Sequence, residues 1–145
     1  MFTHLLIPTD GSPASSRAIQ SGMAFAKSIG ASVTGLFVRP EYHTLSIDYR
    51  MLAQTKEHFD DASIIRAQGY LAEIVNAAWA AGVPCEAIHV TSNHPYAEII
   101  EQARLRQCDL IAMASHGRRG ITGFLMGSET QKVLTHSAIP VLVFR

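Results

Sequence analysis

Leu110-Ile-Ala-Met-Ala-Ser-His-Gly-Arg-Arg-Gly-Ile-Thr-Gly-Phe-Leu-Met-Gly-Ser-Glu-Thr130 holds a strand, a glycine-rich turn and the start of a helix, in that order. Asp109 precedes an unbroken apolar run, so Leu110 to Ala114 is expected as a buried strand. Gly117, Gly120, Gly123 and Gly127 then crowd into eleven residues. Without a Cβ, a backbone of this kind can turn its N–H groups toward an anion. Gly127-Ser128-Glu129-Thr130 leads into a helix expected to reach about Thr135, whose unpaired first-turn amides and dipole favour negative charge. The Ser128 and Thr130 hydroxyls add donors, and Arg118 and Arg119 add fixed positive charge. The spacing is neither that of a Walker P-loop nor that of a G-x-G-x-x-G dinucleotide fingerprint. Read from its glycines alone, the stretch fits an ordinary surface loop with a capped helix as well as a phosphate cradle.

Working outward, the rest of the chain repeats the same alternation. Leu5-Leu-Ile7 is a short apolar run ending at Pro8 and the turn-forming Asp10-Gly-Ser12. Ser12-Pro13 reads as an N-cap with proline in the first turn, and Ile19, Met23 and Ala26 recur at helical spacing as far as Gly30. Val33 to Val38 is a second strand. His43 to about Asp60 has weak periodicity and reads as a loop running into a helix. From Ile64 to Ala81 the pattern is helical, with Ala67, Leu71, Ile74, Val75 and Ala78 on one side and Gly82-Val-Pro84 as the stop. Trp79 on this helix reads as core or interface packing. Cys85 to Val90 is a third strand, Pro95 opens a helix bearing Ile99, Ile100 and Ala103, and Val141 to Phe144 is the last strand. Nearly all-apolar strands alternating with helices require a parallel sheet covered on both faces, a doubly wound α/β fold. In such a sheet ligands bind beyond the C-terminal strand ends where strand order reverses. That places the loops after the first and fourth strands side by side.

The composition narrows the function classes. The 145 residues are 48% hydrophobic and 17% charged, enough apolar material for a single domain, 1–145, with one core. Twelve basic residues balance twelve acidic ones, so no general field attracts nucleic acid or an anionic membrane. No stretch approaches the roughly 20 apolar residues of a membrane span. The N-terminus lacks a basic signal region, which reads as a cytoplasmic protein. Cys85 and Cys108 lie far apart in apolar surroundings, without disulfide or zinc spacing. His4, His43, His58, His89, His94 and His136 show no metal-ligand spacing either.

Ile7-Pro-Thr-Asp-Gly-Ser12, then Met113-Ala-Ser-His-Gly117, nine residues, Gly127-Ser128, and a closing Ile139-Pro-Val-Leu-Val143 together resemble the universal stress protein family. The likeness covers essentially the whole chain and keeps the order of elements. The family's nucleotide-binding branch carries G-x-x-G, nine residues, then G-S/T. Gly117, Gly127 and Ser128 match, whereas Ala114 stands where the pattern has its first glycine, which implies a tighter approach of the ribose.

The resemblance implies a Rossmann-like open sheet of about five parallel strands in the order 3-2-1-4-5. It also implies a site for ATP, or for ADP or AMP. Pro8, Thr9 and Asp10 would line the adenosine, with Asp10 accepting from a ribose hydroxyl, and the Val38 backbone would receive the adenine edge. Met113, Ala114 and Gly117 would flank the ribose and α-phosphate. Gly127, Ser128 and Thr130 would hold the outer phosphates, with His116, Arg118, Arg119 and Glu129 as neighbouring contacts and Mg²⁺ carried on the phosphates. The last strand, Val141 to Phe144, would pair with its copy in a homodimer. Asp10 also has a plainer reading, as the Asx-turn that ends a strand. No Ser-His-Asp or Cys-His set falls on neighbouring loops, so no catalytic residue is assigned. A dimeric nucleotide sensor or regulator, with room for slow ATP hydrolysis, stands first. A nucleotide-free adaptor with a vestigial loop and a nucleotide α-hydrolase using Asp10-Gly-Ser-Pro-Ala-Ser-Ser16 stand behind it.

Overall fold

Leu5, Leu6 and Ile7 are completely buried, and they pack alternately on two separate cores. A strand apolar on both faces can only be internal, and this one is the centre of the sheet. A computed structural model of the protein describes residues 1–42, 49–117 and 125–145. The elements are β1 (His4–Thr9), α1 (Pro13–Ile29), β2 (Ser32–Arg39), α2 (Tyr49–Ala81), β3 (Cys85–Thr91), α3 (Pro95–Leu105), β4 (Leu110–Ala114), α4 (Ser128–His136) and β5 (Val141–Phe144). The strands form one parallel sheet in the order β3-β2-β1-β4-β5. Both the doubly wound fold and the expected strand order are therefore observed.

On one face α1 and α2 bury Ile19, Met23, Ala26, Ile74 and Ala78 against Leu5, Ile7, Val33, Leu110 and Ala112. On the other, Ile99 and Ala103 of α3 and Val133 of α4 cover Leu6, Leu36, Ile111 and Met113. α1 is bounded as its sequence predicts: the Ser12 side chain accepts the Ser15 amide at 3.2 Å, and Gly30 closes the helix at φ 70°.

α2 begins at Tyr49, inside the stretch His43 to about Asp60 that reads as a loop running into a helix, and continues through Ile64 to Ala81 as one helix. Residues 43–48 lie outside the described residues. The core side of α2 is narrower than the pattern suggests, because Ser63, Ala67, Ile74 and Ala78 face inward whereas Val75 and Trp79 are 44% and 86% exposed. Trp79 is thus not a core residue.

Two details open the sheet where a ligand would sit. β1 pairs with β2 along its whole length, to Thr9↔Phe37, but with β4 only at Leu5↔Leu110 and Leu6↔Ile111. Past Leu6 the central strands part, and Pro8, which has no N–H to give a neighbour, lies in the parted region. Elsewhere the chemistry is quiet. Both cysteines are free, and burial pushes the Cys108 thiol up to about 11, which leaves it protonated at neutral pH. Among the described residues no helix is long and apolar enough to cross a membrane.

Candidate functional site

Where β1 and β4 part, a cavity of about 480 Å³ opens at the C-terminal ends of the strands. That volume falls within the range of small-molecule sites, roughly 300–1,000 Å³. The sequence-derived site residues Pro8, Thr9, Asp10, Val38, Met113, Ala114, His116, Gly117, Gly127, Ser128, Glu129 and Thr130 all line it. Arg118 and Arg119 lie outside the described residues.

Asp10 follows β1 and is held by the start of α1. Its Oδ1 accepts the Ser12 amide at 2.9 Å and the Ser15 hydroxyl at 2.7 Å, and its own amide donates to Ser15 Oγ at 3.3 Å. The Asx-turn is therefore real, and it aims the carboxylate across the parted strands. Oδ2 lies so close to Gly117 that a Cβ at that position would collide with it. Glycine at 117 is thus required by Asp10, a contact that runs between the loops after β1 and β4.

The segment after β4 is tied shut at its base. The Gly127 amide donates to the Ser115 carbonyl at 2.7 Å, and a Cβ on Gly127 would stand 3.0 Å from His116 Cα. Close backbone approach, rather than a left-handed φ, is what this glycine permits; its φ is −61°. The family resemblance implies that Gly127 helps hold the outer phosphates, but its amide is committed to protein. Thr130 is likewise committed: it is buried, and its hydroxyl donates to the Ala114 carbonyl at 2.9 Å. These two bonds fix the first turn of α4 against the end of β4. The amides of Ser128, Glu129 and Thr130 head that turn, and its N-cap residue, Gly127, has no side chain to cap it. His116 Nδ1 lies 3.0 Å from Ser115 Oγ.

Glu129 does something its sequence position does not reveal. Its Oε2 accepts the Tyr96 amide at 2.9 Å, and its Oε1 accepts Lys132 Nζ at 2.8 Å. α3 has no side-chain cap from its own N-cap residue, His94, so a carboxylate from α4 fills that place.

Sequence reading missed Ser15, Leu36, Pro40, Ser92, Asn93, Pro95 and Ile99. Leu36, Val38, Ile99 and Met113 make an apolar wall suited to a planar base. Asn93 bridges to the chain after β2, accepting the Glu41 amide at 3.1 Å and donating to Glu41 Oε2 at 3.0 Å. The polar turn Ser92-Asn93-His94 after an edge-side strand was the available signal, since every loop at this end of a parallel sheet borders the crevice. Among the described residues, the lining carries two carboxylates, Asp10 and Glu129, and no lysine or arginine. No group of three or more described His, Cys, Asp or Glu residues could hold a metal ion.

A family model described as the universal stress protein family matches residues 1–145. A universal stress protein of Bacillus subtilis, YxiE, is 29% identical over 149 residues that cover all of both chains. The solved structure of hypothetical protein MJ0577 superposes with a TM-score of 0.84 at 27% identity, covering 99% of this chain and 95% of that one. A universal stress protein solved in complex with cAMP superposes with a TM-score of 0.73 at 25% identity, covering 99% and 97%.

Proposed function

The chain belongs to the universal stress protein family, and we propose that it binds an adenine nucleotide in the crevice between β1 and β4 and acts as a dimeric sensor or regulator in the stress response. The observation that carries this reading is the union, in one cavity, of an apolar wall with a helix start whose N-cap residue, Gly127, has no side chain. Leu36, Val38, Ile99 and Met113 suit a base, the Asp10 carboxylate suits a ribose hydroxyl, and the amides of Ser128 to Thr130 suit a phosphate. The cAMP held by a relative of the same fold supports the same class of ligand.

Ala114, in place of the family's glycine, is compatible with this. It packs in a small cluster with Ala14 and Ala18 of α1 and with Phe144 of β5. For ATP or ADP, Mg²⁺ would be carried on the phosphates, as this ion usually is, rather than in a protein cage. β5 ends the sheet, and its residues Val141 to Phe144 stay half-buried, as suits a strand that pairs with its copy in a second subunit. No catalytic residue is assigned.

Amide NMR during titration with AMP tests the site. The expected result is saturable shifts at Ser128, Glu129, Thr130, Gly117 and Asp10, with the amides of the opposite sheet end, such as Thr3 and Asp109, unmoved. Shifts confined to other surfaces, or none at millimolar AMP, contradict it.

A further inference from the structure

Glu129 is the one carboxylate of the crevice that a phosphate-binding helix start would not be expected to carry. It stands in the first turn of α4, lines the cavity, and reaches across to the α3 amide of Tyr96 at 2.9 Å. Two helix N-termini, those of α3 and α4, open on this end of the cavity, and the protein's own carboxylate already occupies one of them. The only described cation on Glu129, Lys132, pairs with it at 2.8 Å from the solvent side, its side chain 47% exposed. The other described carboxylate in the lining, Asp10, is held by Ser12 and Ser15. A ligand with one phosphate can use the amides of α4 and stop there. A further phosphate that runs from α4 toward the start of α3 meets an anion site already filled by the Glu129 carboxylate.

We propose that Glu129 sets the phosphate number the crevice accepts, favouring an adenine nucleotide with a single phosphate over metal-free ATP. This rests on the nucleotide-binding reading above and sharpens it. A divalent cation on the triphosphate offsets the repulsion, so discrimination is strongest in chelator and relaxes with Mg²⁺. Lys132 tempers the same charge, which makes the two side chains opposite levers on one property.

The test is calorimetric titration of AMP and of ATP, each in EDTA and in Mg²⁺, into wild type, Glu129→Gln and Lys132→Met. The glutamine keeps an oxygen for the Tyr96 amide, so the clamp between α3 and α4 is retained while the charge is removed. In EDTA, wild type binds AMP more tightly than ATP. Glu129→Gln narrows that preference about tenfold, the scale of one like-charge contact at partly screened distance. Lys132→Met widens it, and Mg²⁺ shrinks the differences among all three proteins. A purely structural role for Glu129 would weaken AMP and ATP together and leave their ratio alone, which overturns the proposal. An unchanged ratio in both variants, or a preference for metal-free ATP in wild type, does the same. Wild type that binds neither nucleotide overturns the nucleotide reading itself and the proposal with it.

Discussion

The two ends of the sheet treat their polar groups in opposite ways. At the N-terminal ends of the strands the protein satisfies itself. Asp109 accepts the Thr3 amide at 2.8 Å, the Thr3 hydroxyl at 2.8 Å and the His4 amide at 3.0 Å. Glu86 takes Arg106 at 2.6 Å and the Thr34 hydroxyl at 3.1 Å, and His4 Nε2 lies 2.8 Å from the same hydroxyl. At the C-terminal ends the central strands part, α4 starts at a glycine with no side chain to cap it, and Asp10 is turned across a cavity of about 480 Å³. The closed end has spent its donors and acceptors on the fold, whereas the open end keeps a helix start and an apolar wall facing a cavity that a ligand can enter. Stability and binding should therefore respond to different substitutions.

The largest separation is expected from Gly117→Val, which drives a side chain into Asp10 Oδ2. Overpacking of about 1–3 kcal/mol, relieved by moving Asp10 out of the crevice, corresponds to a loss of roughly five- to 150-fold in AMP affinity. Calorimetry reads the loss, while amide shifts of Thr3 and Asp109 should stay in place. A change spread over both ends would break the comparison.

Asp109→Asn is the reverse experiment. Burial opposes the Asp109 charge, but the bonds from His4 and Thr3 outweigh it and hold the carboxyl below its usual range. Arg106, with Thr34, holds Glu86 low in the same way. Carboxyls whose folded values are lowered stabilise the protein fully above about pH 4–5, the range of unfolded carboxylates, and lose that contribution as pH falls through the lowered values. The substitution should cost about 1–2 kcal/mol at pH 7, in line with hydrogen bonds to a charged acceptor. Thermal melts should then show a lower Tm at pH 7 and a shallower fall in acid than wild type, with AMP affinity unchanged.

How far the sequence reveals such differences depends on how local they are. The inner strands announced themselves because burial on both faces leaves apolar runs such as Leu110 to Ala114, and α1 did so through Ser12-Pro13 and Gly30. The crevice was legible at Asp10, Gly117 and Ser128 because loop chemistry and glycine spacing are local signals. Glu129 was visible as a position but not as a cap for α3, since its partner Tyr96 is 33 residues away. The same holds for Gly127 and Thr130, whose commitments to Ser115 and Ala114 arise only once the loop closes. The start of α2 at Tyr49 was hidden by mixed polarity, as expected where one narrow stripe of a long helix meets the sheet.

The smallest predicted effect sharpens the boundary between the two ends. Ser12 caps α1 and also helps place Ser15, which bonds Asp10. Ser12→Ala should cost about 1 kcal/mol in a denaturant melt, the usual price of a lost cap, and weaken AMP only severalfold. A stability loss with wholly unchanged affinity would detach Asp10 from its support.

The most direct test is calorimetric titration of AMP and of ATP with Mg²⁺ into wild type and into a Gly127→Val, Ser128→Ala double variant that remains folded by circular dichroism. One nucleotide per chain in wild type, lost in the double variant, is the result expected of a binding crevice. Absence of heat with wild type, or equal affinity in both proteins, would contradict it.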